Sequence, residues 1–351
     1  MIRRKLTAWL TVNRACNLRC NWCYAKMTRF DKADNMTIDT VERSIKLLKN
    51  LGISSVIIIG GEPTLHPRFL EIVKIIRDQD MNCYLVTNAL MFSDKYFLAE
   101  SVTAGLSSIT ISFKASSREK FTADTGLDAF EKACEAISNI VNSGINHVLN
   151  ITACENLTND LDEMIKVVKR LGVKSFSIDT GKPIFIDGKS YSDGMISPER
   201  IAQFFREADS KLKNSSVRYS LKVAIPFCLF PKDFINHLIA DGNIMTGCQM
   251  VGGNGIIIDP HGRIIPCNHI CDLSLGEVGN NLETAEDYER YREKEEIKHF
   301  YQVVGSCPDE RCVDCPYWKD CGAGCRLYWL HYQQDDLMGN FERKEVKRHE
   351  L

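Results

Sequence analysis

The sequence has no excess of charge of either sign. Its 44 Lys and Arg stand against 46 Asp and Glu, a formal net charge of −2 over 351 residues. That balance excludes the broad field by which basic proteins hold nucleic acid or anionic membrane, so neither is expected as a partner. There is no long apolar run either, and none approaches the roughly 20 residues that span a bilayer. Internal repeats and low-complexity segments are also missing, which excludes solenoid and compositionally disordered architectures. What remains is a globular composition, 44% hydrophobic and 26% charged, long enough for one large domain or two.

Cysteine, by contrast, is abundant. Fifteen cysteines are many for this length, and disulfide scaffolds are usually far shorter, so metal-bound thiolates in a reducing, cytoplasmic setting are expected. Residues 1–12 imitate the charged and apolar regions of a signal peptide. The apolar part is only about seven residues long and has no small-residue cleavage site. It is read as a first strand over 6–12, running directly into Cys16-Asn-Leu-Arg-Cys20-Asn-Trp-Cys23-Tyr24.

Three thiols at C-x3-C-x2-C spacing suit soft metals, as in iron–sulfur clusters or zinc. One loop can wrap them onto a small object and leave a fourth coordination position without a protein ligand. A zinc knot borrowing a distant fourth ligand is the alternative. Beyond the loop, helical periods at 37–51, 67–80, 94–104, 128–143 and 160–171 alternate with strands at 55–59, 83–87, 108–113, 147–152 and 175–179. This alternation predicts parallel βαβ units in an α/β barrel or open sheet. In such barrels chemistry gathers at the C-terminal strand ends. Gly60-Gly61-Glu62-Pro63 follows the second strand there, with two glycines that permit close backbone approach and an acceptor in Glu62.

Together, Cys16, Cys20, Cys23, Tyr24 and the Gly60–Pro63 turn resemble the signature of the radical S-adenosylmethionine (SAM) superfamily. The resemblance implies a partial (β/α)6 TIM-type barrel over 1–182. It also implies a [4Fe–4S] cluster whose open iron is chelated by SAM. Reductive cleavage of SAM would then give a 5′-deoxyadenosyl radical that abstracts hydrogen from a substrate, with a flavodoxin- or ferredoxin-type protein as reductant. By the same resemblance Gly60, Gly61, Glu62 and Pro63 hold the SAM amino group. Asn88, Ser112 and Lys114 would contact its ribose or carboxylate, and Asn150, Thr152 and Asn156 would add polar contacts. Lys114 stands where many relatives carry an acid. Cys154, just past a strand end, is a candidate catalytic thiol, whereas Cys83 and Cys134 read as small buried hydrophobes.

Residues 183–240 read as a linker with bridging helices: loop-like through 197, then helical over 198–212. Residues 241–330 hold the second cysteine set: Cys248, Cys267, Cys271, Cys307 and then Cys312-x2-Cys315-x5-Cys321-x3-Cys325. A hairpin is predicted over 256–266, turning at Pro260-His261-Gly262. Eight thiols satisfy two four-coordinate centres, and a zinc ribbon is the alternative. The spacings resemble the SPASM extension of radical SAM enzymes, which binds auxiliary [4Fe–4S] clusters. On that pattern Cys248, Cys267 and Cys325 hold one cluster, and Cys312, Cys315 and Cys321 another. The family pattern ends in a further cysteine, and residues 326–351 contain none. Cys307 is the expected replacement, with Cys271 or Cys228 completing the first cluster.

A charged helix is expected over 283–300, with Glu286 and Arg290 spaced for an i,i+4 pair worth about 0.2–0.5 kcal/mol. The polar tail, 331–351, carries no motif. Relatives of this type commonly modify ribosomally made peptides, and peptide modification is the first expectation. Oxidation or rearrangement of a small metabolite is the second, favoured by the shortness of the segment before Cys16, which leaves no peptide-recognition domain there. A non-catalytic iron–sulfur carrier is the rival from another class, and it would have no use for the Gly60–Pro63 turn.

Overall fold

The computed structural model describes residues 6–280 and 282–338. The part of the tail beyond 338 lies outside them. Thirteen strands are found among these residues. Six follow the predicted alternation: β1 (Thr7–Thr11), β2 (Ser55–Ile59), β3 (Asn82–Thr87), β4 (Leu106–Phe113), β5 (Asn146–Ala153) and β6 (Ser175–Thr180). The rest are β7 (Ile184–Ile186), β8 (Lys189–Tyr191), β9 (Arg218–Lys222), β10 (Ile244–Met245), β11 (Gly255–Ile258), β12 (Arg263–Ile265) and β13 (Gly276–Glu277). All but β7 and β8 join one sheet in the order β10-β9-β6-β5-β4-β3-β2-β1-β11-β12-β13. Every pairing from β10 to β11 is parallel. The fold is the expected α/β partial barrel with a cysteine-rich C-terminal region.

Strand side chains alternate between the two faces of the sheet, and here the faces differ in kind. Leu10, Val56, Ile58, Leu85, Ile109, Leu149, Ile151 and Ile178 are at most 1% exposed. They share one core with the apolar stripes of the helices, such as Val41, Ile45 and Leu48 of Ile38–Asn50. The opposite face carries Thr110, Ser112, Thr152, Asp179, Ser220 and Lys222, all half-buried. A sheet covered by helices on one side only leaves this polar face as the lumen of the partial barrel.

The sheet runs through both predicted boundaries, at 182 and at 240. From the expected linker, β9 pairs with β6, and from the cysteine-rich region β11 pairs in parallel with β1. An unpaired edge of β1 would expose a row of backbone donors and acceptors, and β11 takes them up. The hairpin at 256–266 forms as expected, as β11 and β12. Residues 181–197 are not wholly loop, because β7 and β8 make a hairpin through Asp187 and Gly188, both with positive φ. Asp-Gly is a turn pair suited to that geometry. The charged helix at 283–300 divides into Ala285–Arg292 and Glu295–Gly305. Arg290 pairs with Asp287 rather than Glu286, and Asp287 also closes a capping box with Thr284.

Ile58→Ala empties a fully buried site in a central strand and should cost about 2–5 kcal/mol. Lys46→Ala, on the exposed side of the helix Ile38–Asn50, should stay within about 0.5 kcal/mol of the parent. Urea unfolding under anaerobic conditions measures both.

Candidate active site and thiol centres

The chain leaving β1 is interlocked with the turn after β2. Val12 donates to the Ile59 carbonyl at 2.9 Å, Gly61 to Asn13 at 3.0 Å and Glu62 to Ala15 at 2.7 Å. Asn13 Nδ2 returns a bond to the Glu62 carbonyl at 2.9 Å. A Cβ at Gly60 would stand 2.2 Å from Asn13 Oδ1, and one at Gly61 would stand 2.2 Å from the Arg14 carbonyl. The two glycines therefore permit close approach by residues 13–15 of this chain, not only by a ligand. Inside the thiol loop, Arg19 and Asn21 donate to the carbonyls of Thr125 and Asp124 at 2.8 and 3.0 Å. These acceptors end the helix Arg118–Thr125, an element the periodicity did not reveal. Leu18 N–H donates to Cys16 Sγ at 3.4 Å, and the Arg19 guanidinium lies 4.2 Å from the Phe30 ring centre.

All fifteen cysteines are free thiols. Burial pushes Cys16 up to about 12, and the neighbouring Glu62, Cys23 and Cys20 add to the rise. Burial likewise pushes Cys23 up to about 11, with Cys20 adding and Lys114 opposing. The three thiols thus lie within one another's fields, and a metal must displace their protons to bind.

Glu62 is the hub of the strand ends. Its carboxylate is 1% exposed. Oε1 accepts from Thr64 N–H at 3.2 Å and from the Thr64 and Thr87 hydroxyls at 2.6 Å each. Oε2 accepts from Asn88 N–H at 2.7 Å. Burial raises its pKa, and these donors oppose the rise. Three of these bonds fall on Oε1 and one on Oε2, which keeps an acceptor site, and together they brace β2 against β3. Asn88 Nδ2 in turn reaches Asn17 Oδ1 at 2.7 Å. The Tyr24 hydroxyl donates to the Gly60 carbonyl at 2.8 Å, and its ring lies 5.2 Å from that of His269.

The remaining expected contacts line the lumen. Lys114 bonds to Ser112, Ser112 pairs in register with Asn150, and Asn150 accepts from Ser177 at 2.7 Å. Thr152 pairs with Asp179, which meets Lys182 at 2.7 Å and Lys222 at 3.7 Å. Burial acts to raise Asp179, but the two lysines outweigh it and hold the carboxyl below its ordinary range. Thr64, Thr87, Asn13, Asn17, His269 and this ionic group were not singled out from the sequence. Only the fold brings them to the site.

Two candidates lie elsewhere. Asn156 donates to Asp124 Oδ1 at 2.7 Å, behind the thiol loop. Cys154 is 3% exposed and directs its thiol at the same carboxylate. Burial pushes it up to about 12, the opposite of an activated nucleophile. Cys83 and Cys134 are buried, as expected.

The C-terminal thiols form two gatherings. Cys248, Cys267 and Cys325 lie within one another's fields, beside Lys182. Cys271 acts on Cys267 and packs with Ile257 and Ile265 against Trp9 and Ile186. In the second gathering Cys312, Cys315 and Cys321 line a cavity of about 40 Å³, and the fourth thiol on its wall is Cys228. Cys307 is not on that wall. It neighbours Cys312 and Arg326 instead. No group of three or more His, Cys, Asp or Glu among the described residues closes around a single ion.

The sequence model of the radical SAM superfamily matches residues 10–168, a span that contains the last two residues of β1, the thiol loop, the Gly60–Pro63 turn and β2 to β5. A probable GTP 3′,8-cyclase of Saccharolobus islandicus is 29% identical over 78% of this chain and 88% of its own. An AdoMet-dependent heme synthase of Methanosarcina barkeri is 24% identical over 92% and 91%. The solved structure of anSMEcpe with bound AdoMet and Cp18Cys peptide superposes with a TM-score of 0.69. It covers 95% of this chain and 92% of its own at 19% identity, a likeness of fold. Among the described residues no helix is long and apolar enough to cross a membrane. With the thiol loop and the Gly60–Pro63 turn meeting at the strand ends inside the matched span, residues 10–168 form a domain that matches the radical SAM superfamily, a family of enzymes that use a [4Fe–4S] cluster and SAM.

Proposed function

We propose that this is a SPASM-type radical SAM enzyme that modifies a ribosomally made peptide in the cytoplasm, with a flavodoxin- or ferredoxin-type reductant. One observation carries the reading: a three-thiol loop and two further thiol gatherings are attached to one continuous sheet. Cys16, Cys20 and Cys23 share one loop, and three thiols at this spacing fit a cluster with one open position. The cluster and SAM, when bound, supply one-electron cleavage of SAM and hydrogen abstraction. The chain's part is to bind and orient. Residues 60–63, backed by Asn13 and Glu62, present backbone groups beside the loop. Tyr24 braces Gly60, and Asn88, Ser112, Lys114, Asn150 and Thr152 offer polar contacts along the lumen. The C-terminal thiols are read as ligands of auxiliary [4Fe–4S] clusters. The peptide reading is supported by a fold likeness that extends past the barrel through the cysteine-rich region. A small metabolite as substrate is the second reading, favoured by the names of the sequence relatives.

Anaerobically reconstituted, dithionite-reduced protein should convert SAM to 5′-deoxyadenosine, and the Cys16→Ala/Cys20→Ala/Cys23→Ala variant should not. Turnover by that variant, followed by chromatography, would remove the assignment. A short peptide encoded beside the gene should change mass when co-expressed with the enzyme. An unchanged peptide, with a small metabolite consumed instead, would establish the second reading.

Glu62 is read as a positioning residue. Glu62→Ala strands buried donors on Thr64, Thr87 and Asn88, and should destabilise the protein without SAM by at least the ~1–3 kcal/mol of one unsatisfied buried group. Glu62→Gln should recover part of this. Unchanged stability combined with weakened SAM binding in calorimetry would instead make the carboxylate a direct ligand.

A further inference from the structure

We propose that Cys228 is the fourth thiolate of the metal centre held by Cys312, Cys315 and Cys321, supplied from upstream of the cysteine-rich region. The inference rests on reading the C-terminal thiols as metal ligands, and it assigns to the chain a ligand that its spacing pattern does not contain. All four thiols line the same small cavity. At about 40 Å³ the cavity exceeds the ~10–15 Å³ that one water requires, and the four thiols share its wall with apolar side chains such as Phe227 and Trp318.

Local structure explains how a residue so distant in sequence arrives there. Cys228 sits in the single turn Phe227–Leu229, entered through Pro226. Phe227 N–H donates to Cys321 Sγ at 3.3 Å across a separation of 94 residues. The Phe227 ring meets Tyr317 edge-on at 6.2 Å. One step earlier, the Ala224 carbonyl accepts from Cys325 N–H at 2.7 Å. A Cβ at Gly324 would stand 2.4 Å from that carbonyl, so only glycine lets the two segments meet. The turn is therefore strapped to Cys321–Cys325 by one backbone bond, from Cys325 to Ala224, and by the Phe227 N–H at Cys321 Sγ. In the structure the Cys228 thiol turns to the Leu337 carbonyl at 3.3 Å, a weak bond that a deprotonated sulfur would give up.

Cys307 lacks this placement. Its chain segment is tied to Arg326, whose guanidinium bonds to the carbonyls of Val304, Ser306 and Gly322 at 2.8–2.9 Å. Four soft donors in one pocket suit a closed iron–sulfur site. A closed site has no iron free for substrate, which leaves electron transfer as its role.

The test uses the full chain carrying Cys16→Ala/Cys20→Ala/Cys23→Ala, reconstituted anaerobically, so that all remaining iron is auxiliary. Adding Cys228→Ala should remove about four irons per chain, the content of one cube. Adding Cys307→Ala should leave iron content and Mössbauer spectrum unchanged. Cys228→Ser keeps the side-chain shape and substitutes a harder donor. It should remain folded by circular dichroism and display an altered Mössbauer subspectrum. The inference is overturned if Cys228→Ala retains its iron with an unaltered spectrum, or if Cys307→Ala loses as much. A background protein with no iron would overturn the auxiliary-cluster reading itself, a different result from iron present but indifferent to Cys228.

Discussion

Everything at the strand ends depends on how the Glu62 carboxylate is satisfied. A carboxylate removed from water is costly unless its lone pairs are filled. Here the donors that fill them come from two strand ends: Thr64 just after β2, and Thr87 and Asn88 at the end of β3. The backbone of the same residue is bonded to Asn13 and Ala15, which begin the thiol loop. One residue thus links three consecutive chain crossings, and the loop bearing Cys16, Cys20 and Cys23 has its entry fixed before any metal arrives. A site that must hold a cluster and an organic cofactor in fixed relation gains from such prior ordering.

The same economy appears at the sheet edges. β11 covers β1, and β9 with β10 extends β6, so the C-terminal region completes the sheet that the N-terminal region begins. Its thiols are consequently held by the core. Ile256 and Ile258 of β11 are fully buried beside β1, and Phe185 of the β7–β8 hairpin donates to the His269 carbonyl at 2.8 Å, next to Cys267. Units joined through paired strands and a common core move little against each other, which suits electron transfer between fixed centres.

The βαβ alternation was legible in the sequence because buried parallel strands and amphipathic helices have different apolar periods. All six expected strands formed within two residues of their bounds. β9 was not legible: in Arg218–Lys222 only Leu221 is fully buried, so the stretch carries no alternating signal. The thiol loop and the Gly60–Pro63 turn were legible as motifs, but the work of Glu62 was not, because its partners lie up to 49 residues away. Cys228 was expected only at the first gathering for the same reason, since nothing in its local spacing ties it to Cys321. Motifs record ligands that share a loop, whereas ligands supplied by another segment appear only once the chain is folded.

The near-zero net charge that first excluded nucleic acid conceals an uneven interior. Clustered thiolates repel one another, and burial makes each more costly to ionise. Each gathering is met by a buried or half-buried cation. Lys114 opposes the rise at Cys23, Lys182 does so at Cys267 and Cys325, and Arg326 stands within the fields of Cys248, Cys307, Cys312 and Cys325. None of the three is free to swing away: Lys114 is bonded to Ser112, Lys182 to Asp179, and Arg326 to three carbonyls. A fixed cation lowers the cost of a neighbouring anion without reorganising when charge arrives. Lys114 fits this pattern, because an acid there would add to the charge on the thiol loop. The placement of these three cations, more than the cysteine count, makes the interior suited to holding sulfur in its anionic form.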